Sequence, residues 1–260
     1  MDSSTHKLYH IDGMHSRNHL DSFFSGKEDM VFGDDCLKFP MANLHYCLIS
    51  DHIRGNLLID ASLGSIVHHL YSVSEFFKEI AILKFNEQCI MEVSRWLHNC
   101  TGAFDWKHAS GFVAGLEGKS DQHEDIEMRL KSSMKQVLKC NFEQENITSP
   151  VELPLADCVV SCFLLDAISK NEEEYMKNME KIVKLLKPGG HLLLLSVINK
   201  TYMTVGGERF NFLKHDESLV RNSLDKLGLA IDYFSWQKRR NVSDLTNYKA
   251  VMFIAAHKGE

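Results

Sequence analysis

The sequence lacks any apolar run long enough to cross a bilayer; its most hydrophobic stretch, His191 to Ile198, has the length of a single strand. It also lacks a basic excess. Lys and Arg number 29 against 35 Asp and Glu, a formal net charge of -6 with a pI near 6.2, which argues against nucleic acid or an anionic membrane as a partner. No CxxC pair occurs among the seven cysteines (Cys36, Cys47, Cys89, Cys100, Cys140, Cys158 and Cys162). The number is odd, and several lie in apolar runs where a thiol acts as a small hydrophobe, which suits a reducing, cytoplasmic setting. The 14 histidines have no matched Cys or His partners at ligand spacing, so no zinc site is expected. Met1 to Lys7 carry no apolar core and do not read as a signal peptide.

What is present is an ordinary globular composition. The 260 residues are 44% hydrophobic and 25% charged, enough for one large α/β domain with a substantial core. After a polar start, a short helix is expected around Ser16–Ser25. A second runs from about Cys36 to Ser50, capped by Asp34 and Asp35, with Pro40 tolerated in its first turns. Asn56–Asp60 reads as a buried strand ending in an acid, followed by a loop and a helix through Ile66–Phe77. Glu79–Phe85 is a second strand, and Glu87–His98 has apolar residues at helix spacing. The stretch 99–135 is less regular, with a charged helix over Asp121–Met134. Further strands are expected at Gln136–Asn141, Ala156–Leu165 and His191–Val197, with a helix over Asn171–Lys187 stopped by Lys187-Pro-Gly-Gly190. A last helix spans Asp216–Leu227, and then Ala230–Trp236 and Tyr248–His257 follow with no helix between them, hence as an antiparallel pair.

That order predicts a doubly wound, mostly parallel seven-stranded sheet with a C-terminal antiparallel hairpin. Residues 51–260 form the Rossmann-like core and residues 1–50 a helical cap. Ligands of such sheets lie over the carboxyl ends of the strands, at the switch point.

The segments Gly55–Asp60, Phe76–Ile80, Arg95-Trp-Leu97, Ala103-Phe-Asp-Trp106, Gly115-Leu-Glu-Gly118, Gln136–Cys140, Leu155–Val159 and Leu185–Leu192 match in order, over nearly the whole chain, those of a known family. The sequence resembles the nicotinamide, indolethylamine and phenylethanolamine N-methyltransferases, which have the class I methyltransferase fold. The resemblance implies a cytoplasmic monomer that moves a methyl group from S-adenosyl-L-methionine to a small amine, thioether or pyridine, with no nucleic-acid or membrane partner. It also implies a cofactor site drawn from His19, Phe24, Asp60, Ser62, Gly64, His68, Lys84, Phe85, Cys89, Asn141, Phe142 and Cys162, and no metal. No catalytic residue is implied with certainty; Ser196, where the nicotinamide branch carries an acid, is the candidate substrate contact.

Several of these positions depart from the family pattern. Where that pattern reads acid-Ile-Gly-Ser-Gly-Pro, this chain reads Asp60-Ala-Ser-Leu-Gly-Ser65. If the turn needs a positive φ at Ser62, that residue is strained by about 1 kcal/mol. At the end of the second strand the family carries an acid that accepts bonds from both ribose hydroxyls; here stands Lys84, which has donors and no acceptor. Its ammonium is expected to swing into solvent, or to prefer a phosphate. Asn141 replaces a further acid near the adenine, His68 a tyrosine, and Cys162 a hydroxyl residue. The losses at Ser62, Lys84 and Asn141 sum to about 3–5 kcal/mol, enough to move a micromolar affinity to millimolar. Two functions follow: a methyltransferase with a degraded cofactor site, or a catalytically inactive paralogue that serves as a binding or structural protein.

Overall fold

A computed structural model describes residues 13–26, 32–240 and 242–259. Residues 1–12 and 27–31 of the expected cap lie outside the described residues. The chain begins with α1 (Ser16–Phe23), a π-helical turn (Gly33–Lys38) and α2 (Phe39–Ser50). It continues through β1 (Gly55–Ala61), the single turn α3 (Leu70–Val73), β2 (Phe77–Lys84), α4 (Glu87–Leu97), α5 (Lys107–Leu116), α6 (His123–Ser133) and β3 (Met134–Lys139). Then come β4 (Ala156–Cys162), α7 (Leu165–Ile168), α8 (Glu172–Val183), β5 (Leu186–Ile198), β6 (Tyr202–Val205), β7 (Glu208–Asn211), α9 (Glu217–Lys226), β8 (Leu229–Lys238) and β9 (Ala250–Lys258).

Seven strands form one sheet in the order β3-β2-β1-β4-β5-β9-β8. β1 pairs with β2 and β4, β2 with β3, and β4 with β5, all parallel, while β9 runs antiparallel between β5 and β8. The strand order reverses between β1 and β4, so the crevice above their carboxyl ends is the switch point. Local chemistry explains the helix starts. Asn86, Asn171 and Asp216 each accept a backbone N–H at the N-cap of α4, α8 and α9, and α8 opens with Glu172, Glu173 and Glu174 against the helix dipole. β4 and β9 are almost wholly buried, as central strands covered on both faces must be.

Several boundaries differ from the sequence reading. The helix expected over Ile66–Phe77 shrinks to Leu70–Val73, because Phe77 already pairs with Gly55 in the sheet. The expected helix from Cys36 to Ser50 is split into the π-helical turn and α2, with Pro40 in the first turn of α2. Asp35 does not cap it. Its carboxylate accepts from Gln237 Nε2, the Tyr248 hydroxyl and the backbone N–H of Arg240, and so ties the N-terminal region to the end of the sheet. α5 and the β6–β7 hairpin fall in stretches that lacked clear periodicity. Lys187-Pro-Gly-Gly190 lies within β5 and does not end the helix, which stops at Val183: pairing jumps from Ala156↔Leu186 to Cys158↔His191, so these residues bulge out, with Gly189 at φ +71°.

Candidate functional site

Asp60 stands at the carboxyl end of β1 with Ser62 and Leu63 in the turn beyond it, and all three are buried. Asp60 Oδ1 accepts from Ser62 Oγ at 2.5 Å and lies 2.7 Å from His69 Nε2. An ionised carboxylate only accepts, so Nε2 of His69 carries the hydrogen. The second oxygen, Oδ2, lies 3.4 Å from Nζ of Lys84, the last residue of β2. The same ammonium reaches the carbonyls of Ser62 at 3.3 Å and Ile66 at 3.5 Å. Lys84, expected to turn outward, is fully buried. The correction has a simple cause: in the parallel β1–β2 pair, the end of β2 lies beside the end of β1, and an inward ammonium there meets a carboxylate. Burial by itself raises the Asp60 carboxyl. Lys84 and then His69, with the hydrogen bonds from His69 and Ser62, outweigh it and hold Asp60 below the usual carboxylate range.

Ser62 is not in the left-handed region, so the strain expected at that position is absent. Its hydroxyl accepts from Cys162 N at 2.9 Å and stitches the β1 turn to the end of β4. The non-glycine residue with positive φ at this crevice is Phe163, at 60°, directly after β4. Gly64 has φ +59°, and a Cβ there would meet His19 Nδ1 at 2.7 Å. α1 is therefore seated tightly on the turn, and Ser16 Oγ lies 2.5 Å from Ser65 Oγ.

Aromatic rings close the roof. Phe24 packs 5.4 Å from the His19 ring and 5.0 Å from His68, and His68 stacks on Trp106 at 5.8 Å. Burial, followed by Lys200 and Lys84, pushes the His19 imidazole down to about 3. Burial likewise keeps His68 well below its ordinary value, so both rings are neutral. On the far side, the Phe85 and Phe142 rings meet at 5.4 Å. Asn141 is exposed and accepts from Glu143 N, while Cys89 N is held by the Asn86 side chain. The Cys162 thiol is raised well above its ordinary value by burial and then Asp60, which leaves no thiolate to act as a nucleophile. Ser196, at the end of β5, bonds His215 Nε2 at 3.0 Å.

The structure thus brings together His19, Phe24, Asp60, Ser62, Gly64, His68, Lys84 and Cys162. Phe85, Asn141 and Phe142 lie toward β3, Cys89 meets Ser16 of α1, and Ser196 lies toward α8. A void of about 30 Å³ lies at the β4–β5 side of the crevice, lined among others by His19, Phe24, Leu63, Phe163, Lys200 and Met203. Roomier hollows lie elsewhere, such as one of about 400 Å³ at the amino ends of β1, β2 and β3. Three residues of the site were not singled out from the sequence. His69 and Asp60 are nine positions apart with no periodicity linking them, Lys200 lies in the short connection between β5 and β6, and Asp166 lies in the single turn α7 after β4.

The family model described as the NNMT/PNMT/TEMT family matches residues 4–259. The chain belongs to the NNMT/PNMT/TEMT family. It is 29% identical to human nicotinamide N-methyltransferase over 254 residues, which cover 98% of this chain and 96% of that one. It is 33% identical to human phenylethanolamine N-methyltransferase over 182 residues, or 69% of this chain and 64% of the relative. Among solved structures, magnesium protoporphyrin IX methyltransferase from Synechocystis, determined with bound S-adenosylmethionine, superposes with a TM-score of 0.60. Identity is 10%, with 100% of this chain and 98% of the other covered. The fold is that of the class I methyltransferases, and the crevice at β1, β2 and β4 is its switch point. Among the described residues no helix is long and apolar enough to cross a membrane.

Proposed function

We propose that this chain is a non-catalytic member of the NNMT/PNMT/TEMT family, with its cofactor seat closed by its own side chains, and that it acts by binding rather than by methyl transfer. The buried Asp60–Lys84 pair carries the reading. S-adenosylmethionine needs acceptors for its ribose hydroxyls, and Lys84 offers only donors, already directed at Asp60, Ser62 and Ile66. The amino-acid end of the cofactor meets the Ser62 and Leu63 side chains, and the Phe85–Phe142 contact fills space on the adenine side. The residues present do not fit the cofactor, and no methyl-transfer step is assigned to them.

Calorimetry and thermal shift with S-adenosylmethionine and its demethylated product test the reading. No heat and no stabilisation at millimolar ligand is the expected result. A Kd tighter than about 50 µM, roughly -6 kcal/mol, overturns it.

The full-length match to nicotinamide N-methyltransferase favours a second reading, methyl transfer to a small amine, thioether or pyridine. On that reading Lys84 leaves Asp60 and α1 lifts when the cofactor enters, and Ser196 faces the substrate. The same titration separates the two readings.

A further inference from the structure

Lys200 follows β5 and is only 5% exposed, yet among the described residues its ammonium has no oxygen partner. Among the described residues its hydrogen-bonding contact is the Met203 sulfur at 3.8 Å, and it sits 3.5 Å from the centroid of the Phe212 ring. An ammonium carries three donors, and burying it without an acceptor is costly. Asp166 and Cys36 act on it through space, but neither forms an ion pair with it. Burial outweighs both and lowers the amine to about 8, so it still carries its charge at neutral pH. Asp166 is itself buried with both oxygens unpartnered, and burial raises its carboxyl, which weakens it as a counter-ion.

Lys200 also lines the void of about 30 Å³ in the crevice. The polar groups around that void are mostly committed. The Tyr248 hydroxyl donates to Asp35, and the Thr246 hydroxyl donates to the Tyr202 carbonyl. The Cys36 thiol, also in the wall, is engaged with Tyr248, and what remains is Lys200 and the neutral ring of His19, whose Nδ1 has no partner among the described residues. Phe24, Phe163, Val197 and Met203 complete the wall with apolar surface. One cation, one neutral ring and apolar walls match a small, singly charged anion that carries a hydrocarbon group. They do not match a multiply charged phosphate, and the ammonium repels a protonated amine.

We propose that this void is a binding site for a small carboxylate, with the Lys200 ammonium as its counter-ion. A space of this size holds a carboxylate head with little more than a methyl or ethyl group. The site goes beyond the loss of cofactor binding proposed above and is tested without cofactor, so the two ideas stand or fall separately.

The test uses the full-length protein with formate, acetate, propionate and butyrate, and with chloride and methylammonium at matched ionic strength. Acetate or propionate is expected to raise Tm and to bind with a millimolar Kd, with affinity falling at butyrate. Lys200→Met keeps the apolar stem and should weaken binding at least tenfold, while Lys200→Arg should retain it. Saturation-transfer NMR on the unmodified protein provides a check independent of variant folding: the acetate methyl should receive magnetisation from the Val197 and Met203 methyls. The proposal is overturned by the absence of that transfer at 50 mM acetate, by equal binding to a folded Lys200→Met protein, or by chloride or methylammonium stabilising as well as acetate.

Discussion

Lys84 Nζ lies 3.4 Å from Asp60 Oδ2, and both side chains are fully buried at the ends of neighbouring parallel strands. The pair couples the stability of the crevice to its chemistry. A cation at the end of β2 is neutralised by the acid at the end of the neighbouring strand β1.

Breaking this pair from one side should be far worse than removing it whole. Lys84→Met leaves Asp60 buried with only Ser62 and His69, and should cost about 3–5 kcal/mol of unfolding free energy. Lys84→Met combined with Asp60→Leu should recover most of that loss. Denaturant unfolding of the two single variants and the double variant measures the coupling. Additive losses would show that the two charges do not interact.

Restoring the family pattern should reopen the seat. Lys84→Asp with Ser62→Gly and Leu63→Ser places two carboxylates close together, so the free protein should melt lower than the unmodified chain. S-adenosylmethionine should then bind at least tenfold more tightly, read by calorimetry. No gain in affinity would mean that the crevice has been remodelled beyond these three positions.

Gly64 should not tolerate a side chain. Its φ of +59° and the 2.7 Å approach of a Cβ to His19 Nδ1 act together, so Gly64→Ala should cost about 2–3 kcal/mol. Adding His19→Ala removes the clash and leaves only the backbone strain, so the double variant should lose less through Gly64→Ala than the parent does. A thermal-unfolding cycle separates the two contributions.

Acid should destabilise the protein through His19. A histidine free in the unfolded chain titrates near 6.5, whereas the folded ring, neutral and buried, is held down to about 3. Between those values the unfolded state binds the extra proton, so stability falls as pH drops from about 6.5 toward 3. By pH 4 the loss from this ring is about 3 kcal/mol. His19→Phe should flatten the slope of unfolding free energy over that range. Asp60 acts lower down: its depressed carboxyl stabilises the fold above about 3.9, and that contribution is lost as pH falls through its folded value.

The legible part of the site was chemical identity. Asp60, Ser62, Gly64 and Lys84 could be placed from the apolar strands that precede them and from the family pattern. The illegible part was where side chains pointed. The same lysine fits a solvated strand end or a buried ion pair, and the choice depends on Asp60, 24 residues away in sequence. The helix expected at Ile66–Phe77 failed for a related reason. Its apolar residues suit a helix, but pairing of Phe77 with Gly55 takes that end into the sheet.

By itself, then, the sequence determined the alternation of strands and helices, the antiparallel ending and the family. Apolar runs and caps act within a few residues, and ordered matches survive divergence. Tertiary structure alone decided that Lys84 turns inward to Asp60, that His69 completes their network, and that Lys200 is buried beside a small void. Each of these depends on crossovers that bring distant strand ends together, and burial then forces every charge there to find a partner or to wait for one.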